Sequence, residues 1–482
     1  MKLNKLAACI VASTLLVACG SDSNDNSYSN PDVQKVLNTN ADIALAAYQD
    51  SVITAKALQT ELAKFKANPT ADNLTAAKKA WLVAREPYGQ TEVYRFRNSP
   101  IDSTDYQSED GPEGDINAWP LGEALIDYVA TNNSDFGDDQ VGVTANSAGI
   151  NGNGALTAAN ASTDNSNNII GEASITIDAD LLARTATADD EHDVIAGYHA
   201  IEFLLWGQDL RSDNQQPTVG SDRDQAVNAT AMGGQRPLTD FTTNVADPDS
   251  PSARRHQYLE VAAAKLVADL EQVRDGWKEG ASYRTAFTRI NSDAEANQRL
   301  TEILTGMGTL SEGELAGERM QIAYAGNSQE DEHSCFSDNT HRDVVLNALG
   351  VANSYYGNYA GYDSDLDGTV DVTTNAVDGF GIDELLAARQ QTALATQLDS
   401  AFTATATAYN KIDASARNGV PFDVLIMEAN RSNTNPVAET ILALNAQSVK
   451  IQQVATQLGL GDVVDDDASG CDTTNPGSDA GC

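Results

Sequence analysis

The feature that most constrains this chain is an apolar repeat at helical spacing in three long segments. Steps of three and four residues put such side chains on one face of a helix. The sets are Tyr48, Val52, Ala55, Leu58, Leu62 and Phe65, then Leu259, Ala263, Leu266, Leu270, Val273 and Trp277, and finally Val437, Ile441, Leu444, Ser448, Ile451, Ala455 and Leu458. The third follows Asn435-Pro436, in which Asn caps a helix and Pro occupies its first turn. Because a helix with one apolar face must bury it against a neighbour, the sequence predicts an all-α fold built from helical bundles.

Irregular stretches interrupt the helical pattern. Residues 131–168 are rich in Asn, Gly, Ser and Ala, residues 211–251 are polar with scattered Pro and Gly, and residues 355–381 are rich in Asp and Gly. The middle stretch is the candidate boundary between two helical halves. We therefore expect these halves at residues 32–240 and 250–462, with long irregular loops and a disordered acidic tail at 463–482.

The N-terminus has the pattern of a secretory signal. Two lysines precede an apolar run at residues 6–17, which is shorter than the roughly 20 residues that a membrane-spanning helix needs. Leu16-Val17-Ala18-Cys19 resembles the lipobox of bacterial lipoproteins, in which the cysteine becomes the first mature residue and carries acyl chains. We predict a signal peptide at 1–18, lipidation of Cys19 and a polar linker at 19–31. Gly20 after the cysteine indicates the outer membrane, with the protein facing the periplasm. An ordinary signal peptide that contains a cysteine is the alternative.

The chain is strongly acidic, with 30 Lys and Arg against 70 Asp and Glu and a net charge of -40. Such a field repels phosphate backbones, so we expect no nucleic-acid partner. It attracts cations, although acidity can also serve solubility alone.

Five cysteines are too few for a disulfide scaffold. Cys471 and Cys482 flank the polar tail and can close a small disulfide loop in an oxidising compartment. Cys335 would then remain a thiol.

The clearest chemical motif is a histidine and a glutamate three residues apart in the segment Gly197–Asp209. On a helix His199 and Glu202 point the same way and can bind one cation together. Histidine suits iron, zinc and copper, and a carboxylate adds a hard oxygen. Two ligands leave a coordination sphere incomplete, so we predict further oxygens from Glu92 and Asp209. Surface neighbours or a hydrogen-bonded couple are the alternative for such a pair.

This motif and four other segments resemble the imelysin family, which is also classed as a peptidase family. The segments are Gly197-x-His199-x-x-Glu202 followed by Phe-Leu-Leu-Trp-Gly, Trp81 to Phe96, Ile116 to Leu121, Gly313 to Met320 and Gln329 to Asp343. The last two are similar to the family's longer branch, typified by iron-regulated protein A. The resemblance implies a duplicated fold of two four-helix-bundle-like halves with the motif near their interface. It also implies a role in iron uptake or handling at the cell envelope, with iron-transport proteins as partners.

Binding of a transition metal is therefore the predicted function, with iron expected and zinc or another metal as the alternative, taken free or as a chelate. A zinc peptidase needs three protein ligands, an open position for water and a carboxylate base. The His-Glu-x-x-His pattern is absent, and its inverted form would need histidine where Phe203 stands. A metal-dependent peptidase of the imelysin class stays an alternative if distant residues complete a site. Haem capture with His199 as axial ligand is a third hypothesis, although no Cys-x-x-Cys-His motif exists.

Other charged residues have two interpretations each. Arg85 and Arg319 can hold carboxylates in place or bind an anionic chelate, and their alternative role is in salt bridges between helices. His333 and His341 are expected to cap or to form hydrogen bonds within their acidic loop.

A second, weaker cation site is predicted at Asp363–Asp371. Asp363, Asp365, Asp367 and Asp371 fall at positions 1, 3, 5 and 9 of a calcium loop, with Gly at position 6. Position 12 is Thr374, where such loops normally supply a bidentate Glu. The expected calcium affinity is accordingly weak, about 0.1 to 1 mM. A solvated acidic turn is the alternative.

Overall fold

The computed structural model describes residues 30–108, 110–119, 121–129, 168–183, 194–209, 233–329, 331–427, 430–432, 434–464 and 470–478. Its helices are α1 (Pro31–Ala67), α2 (Ala71–Tyr88), a 3₁₀ helix (Gly89–Tyr94), α3 (Glu113–Ile116), α4 (Glu123–Ile126), α5 (Ala179–Leu182), α6 (Gly197–Trp206), α7 (Thr239–Thr242), α8 (Pro251–Gly276), α9 (Ser282–Thr288), α10 (Asp293–Thr309), a π-helix (Leu310–Gln321), α11 (Ile322–Gly326), α12 (Thr340–Tyr356), α13 (Ile382–Ala388), α14 (Thr392–Arg417), α15 (Phe422–Ile426) and α16 (Pro436–Leu458). Strands β1 (Asn358–Tyr359) and β2 (Val377–Asp378) pair antiparallel. The predicted all-α class is confirmed. The lipobox and residues 210–232 lie outside the described residues.

All three predicted helix faces are buried, since every side chain in the three apolar sets is at most 9% exposed. The predicted start of α16 is also confirmed. Pro436 occupies its first turn, and the Asn435 side chain accepts a hydrogen bond from the Val437 amide at 2.8 Å.

The long helices pack in two neighbouring groups. Helix α1 packs against α2 and α8, and α8 also packs against α6, whereas α16 packs against α14 and the π-helix. The predicted second half, residues 250–462, includes α8, which begins at Pro251. In the structure α8 packs on α1 and α6, which lie in the predicted first half. Helix α12 contacts both the 3₁₀ helix and α14. Helix α12 and the loop before it therefore lie between the two groups.

The structure also contains a strand pair and a π-helix, two kinds of element that the apolar pattern does not predict. The β1–β2 pair closes part of the stretch 355–381, and the π-helix lies between α10 and α11 with ten of its residues buried. Across the described ranges, none of the helices combines the length and the apolar character needed to cross a membrane.

Candidate metal centre

Helix α6 carries the histidine and glutamate of the motif into the protein interior. Its first residue, Gly197, has a φ of 77°, in the left-handed region that favours glycine. A Cβ at this position would lie 2.3 Å from the carbonyl oxygen of Ile116. Only glycine therefore lets α6 begin against the end of α3. All ten residues of the helix are buried, so the motif glycine sets the position of two buried polar side chains.

The two motif side chains are hydrogen-bonded to each other. His199 Nδ1 lies 2.9 Å from Glu202 Oε2. The other oxygen, Glu202 Oε1, accepts bonds from the Ser337 amide at 3.0 Å and the Ser337 hydroxyl at 2.6 Å. His199 Nε2 is buried and has no hydrogen-bond partner. Both carboxylate oxygens are thus engaged, and the nitrogen of His199 on the far side of the ring is available to a ligand.

Burial controls the protonation of this pair. It raises the pKa of Glu202 to about 8, against the lowering effect of the Ser337 bonds. It also lowers the pKa of His199 well below 6.5, assisted by His333 and Arg85. The His199 imidazole and the Glu202 carboxyl are therefore both neutral near pH 7. Neutral imidazole is the form in which histidine binds metals, and binding at Nε2 would release the Glu202 proton.

A second histidine with its own carboxylate lies beside the first. His333 Nδ1 is 2.8 Å from Asp343 Oδ2, and Arg85 Nη2 donates to Asp343 Oδ1 at 3.0 Å. Burial alone would raise the pKa of Asp343, but Arg85 and His333 hold it well below its usual value. Burial lowers the pKa of His333. An ionised Asp343 therefore accepts a hydrogen bond from the Nδ1–H group of a neutral His333.

The two imidazoles are in ring contact. Their centroids are 4.7 Å apart with planes at 82°, and the ring of Trp119 lies 4.9 Å from that of His199. The side chains of His199 and His333 are 0% and 5% exposed. In metal sites, a carboxylate on one ring nitrogen commonly orients the other nitrogen toward the ion. This arrangement can supply two nitrogen ligands in the protein interior.

Glu92, predicted as a further ligand, has two arginine partners. Arg319 Nη2 lies 2.9 Å and Arg95 Nη1 3.2 Å from Glu92 Oε2. Burial alone would raise the pKa of Glu92, but these arginines bring it to about 2. Arg319 also pairs with Glu314 at 3.3 Å. The predicted pocket residues thus form ion pairs between elements, Arg319 with the 3₁₀ helix and Arg85 with α12.

Asp209, the other predicted ligand, lies in an acidic cluster. One carboxylate oxygen from each of Asp209, Asp338 and Asp423 lies within 4.8 Å of the others. Asp338 directly follows Ser337, whose amide and hydroxyl bind Glu202. The cluster is therefore a neighbour of the histidine pair along the loop before α12.

The predicted calcium loop brings three of its four acidic residues together. Oxygens of Asp363, Asp365 and Asp367 lie within 4.8 Å of one another. The fourth, Asp371, accepts hydrogen bonds from the amide and hydroxyl of Ser364, at 2.7 and 2.8 Å. A weak calcium site here stays a prediction.

Four residues of the site were not predicted from the sequence: His333, Asp343, Ser337 and Trp119. A signal was present, because the segment Gln329–Asp343 carries most of them and is one of the segments that resemble the family. His341, by contrast, forms the expected bond within its loop, from Nδ1 to the carbonyl of Asp338 at 2.9 Å.

The predicted states of two cysteines can be compared with the structure. Cys335 is a buried thiol and Cys471 is disulfide-bonded. Its predicted partner, Cys482, lies outside the described residues.

Comparisons with known proteins agree with the motif. The sequence model of the family described as Imelysin, Peptidase M75, matches residues 44–451. Iron-regulated protein A of Synechococcus elongatus is 31% identical over 113 residues, which are 23% of this chain and 28% of that relative. The chain therefore aligns with less than a third of this relative's length.

Two solved structures share the fold. One, assigned as an iron-regulated protein A precursor from Parabacteroides distasonis, is 17% identical with a TM-score of 0.54 over 90% of this chain and 97% of that chain. The other, an imelysin-like protein from Psychrobacter arcticus, is 14% identical with a TM-score of 0.50 over 90% and 98%. At these identities the likeness concerns the fold alone.

Proposed function

The chain belongs to the imelysin family, and on that premise we propose that it binds a transition-metal ion, with iron as its cargo, through the imidazoles of His199 and His333. The observation that carries this proposal is the Nε2 atom of His199, which is buried without a hydrogen-bond partner. An unsatisfied buried polar atom costs about 1–3 kcal/mol. A metal ion bonded to this nitrogen would remove that penalty. Iron is favoured because the curated relative and one structural relative carry the name iron-regulated protein A, and imidazole suits iron.

The two carboxylates orient the imidazoles in this proposal. Glu202 and Asp343 each bond to an Nδ1 atom, which leaves both Nε2 atoms for the ion. The sequence prediction makes Glu202 a direct ligand, whereas its bonds to His199 and Ser337 favour the orienting role. Two nitrogens do not complete a coordination sphere, so water or the donor atoms of a chelate take the remaining positions. The positive charges of Arg85 and Arg319, which both depress the pKa of His199, suit an anionic chelate.

The place of action is part of the proposal. The lipobox at Leu16-Val17-Ala18-Cys19 supports a lipoprotein that is anchored in the outer membrane and faces the periplasm. There the protein would receive iron and pass it to transport proteins of the envelope. Two or more acyl chains suffice for stable anchoring.

Metal titration of the protein tests the proposal. Purified protein is freed of metal with a chelator, and binding of anaerobic Fe²⁺ and of Zn²⁺ is measured by calorimetry and elemental analysis. We expect His199→Ala and His333→Ala to weaken binding on the order of a hundredfold or more, since even outer-shell losses reach ten- to a hundredfold. His256→Gln is the matched control, because His256 is buried elsewhere, against Phe65 and Phe241.

Several outcomes would contradict the proposal. Equal metal content in the wild type and in the His199→Ala, Glu202→Ala double variant would end it. An absorption band from bound haem in the purified protein would replace iron by haem as the cargo. Cleavage of an unfolded substrate that Glu202→Gln abolishes while metal stays bound would make the protein a peptidase.

A further inference from the structure

Three carboxylates from three segments converge beside the loop that carries Ser337. Asp209 follows α6, Asp338 lies in the loop before α12, and Asp423 lies in α15, with one oxygen of each within 4.8 Å of the others. Asp338 and Asp423 are 3% and 1% exposed. Burial, together with repulsion from Asp209, Asp423 and Glu332, raises the pKa of Asp338 well above its usual value. Several acidic groups therefore share a buried volume in which their charges repel.

Two buried oxygen atoms at this cluster have no hydrogen-bond donor. Asp338 Oδ2 accepts a bond from the Gly233 amide at 2.7 Å, whereas its Oδ1 is buried without a partner. Gln329, which is 6% exposed, donates its amide nitrogen to Asp209 Oδ2. The Oε1 atom of that amide is also buried without a partner. Because both amide atoms of Gln329 are bonded to one carbon, its oxygen lies next to the Asp209 carboxylate. A cation among these oxygens would satisfy both.

We infer that Asp209, Asp338, Asp423 and the side-chain carbonyl of Gln329 bind a calcium ion. The donors are all oxygens, which suit hard cations rather than the metals that imidazole prefers. Calcium accepts six to eight oxygens in irregular geometry, whereas magnesium usually keeps several waters and uses one or two carboxylates. Three carboxylates and a carbonyl from four positions along the chain therefore favour calcium. This site does not depend on the histidine pair holding a metal.

The ion would brace the loop that builds the histidine site. It would connect the segment after α6, the loop before α12 and α15 through one set of bonds. Ser337, next to Asp338, donates both of its bonds to Glu202. Loss of calcium should therefore loosen the support of Glu202 as well as the cluster itself.

Calcium binding to the chelator-treated full protein tests this inference. Calorimetry and thermal unfolding are recorded with CaCl₂ and, separately, with MgCl₂. We expect calcium to bind and to raise the unfolding temperature, and Asp423→Asn to weaken this binding at least tenfold. Asp209→Asn, at a less buried position, should do the same. Asp365→Asn, in the loop Asp363–Asp371, is the matched control and should not change the rise in unfolding temperature that calcium causes. In metal-free protein Asp423→Asn should unfold at the wild-type temperature or above, because one repelling charge is gone.

Other results would overturn the inference. If Asp365→Asn, rather than the cluster variants, abolished the temperature shift, calcium would act through the loop Asp363–Asp371 and not through the cluster. Magnesium binding as tight as that of calcium would refute the choice of ion. A metal-free Asp423→Asn or Asp209→Asn variant that unfolds at lower temperature, or does not fold, would mean that the carboxylates are held by their own hydrogen bonds and need no ion.

Discussion

The ion pairs of Glu92 predict how acid affects the stability of the fold. Glu92 is 1% exposed, and Arg319 and Arg95 bring its pKa from 4.5 to about 2. A carboxyl whose pKa is lower in the folded state stabilises the fold above its unfolded value, here pH 4.5, and this contribution is lost as pH falls toward 2. At about 1.4 kcal/mol for each pKa unit, this lowering of the Glu92 pKa corresponds to about 3 kcal/mol.

Glu92→Gln is the variant that tests this reasoning. Removing one partner of a buried ion pair costs about 3–5 kcal/mol, which agrees with the figure from the pKa. Urea unfolding at pH 7 should therefore show a variant that is about 3 kcal/mol less stable than the wild type. The difference should shrink between pH 4.5 and pH 2. Glu260→Gln is the control, because Glu260 is 60% exposed in its pair with Lys66 and such pairs contribute about 1 kcal/mol or less.

Two results would refute the reasoning. Equal stability of Glu92→Gln and wild type at pH 7 would mean that the arginines do not depend on this carboxylate. A difference that stays constant down to pH 2 would mean that titration of Glu92 is not its source. The same variant also tests the sequence prediction of Glu92 as a metal ligand, since a ligand's loss should weaken metal binding at least tenfold while its role in the ion pairs alone should not.

Three further predictions concern other parts of the chain. Cys19→Ser should move the protein from the membrane to the soluble fraction, and retention on membranes after a high-salt wash would place the anchor elsewhere. Asp365→Ala should abolish the weak calcium heat of the loop Asp363–Asp371, and an unchanged heat in calorimetry would leave a solvated acidic turn. Burial lowers the pKa of His341 from 6.5 to about 4, so its stabilising contribution is present above pH 6.5 and is lost as pH falls through 4. In urea unfolding, His341→Gln should lose less stability than the wild type between pH 6.5 and pH 4. An unchanged dependence of stability on pH would mean that His341 is not the group that titrates.

The sequence predicted what local spacing determines. Faces of α1, α8 and α16 follow from steps of three and four residues, and so does the proximity of His199 and Glu202 on α6. It did not predict partners that lie far apart in the chain. Ser337 is 135 residues from Glu202, and His333 reaches Asp343 from a loop into the first turn of α12, across a spacing that no regular element defines. Periodicity shows which face of a helix is buried but not which element covers that face. For this reason the packing of α8 on α1 and α6 could not be predicted from the sequence.

The π-helix Leu310–Gln321 limits how the length of the chain can vary during evolution. It presents Arg319 to Glu92, while Leu315, Ala316 and Met320 enter the apolar core that the π-helix shares with α12, α15 and α16. Its wider winding gives each side chain a direction that an α-helix of the same sequence would not. Deleting or inserting one residue would rotate Arg319 away from its partner and turn the apolar side chains out of the core together. Relatives that keep this ion pair and this packing should therefore vary the side chains of the segment more readily than its number of residues. Exposed loops, by contrast, tolerate insertions and deletions.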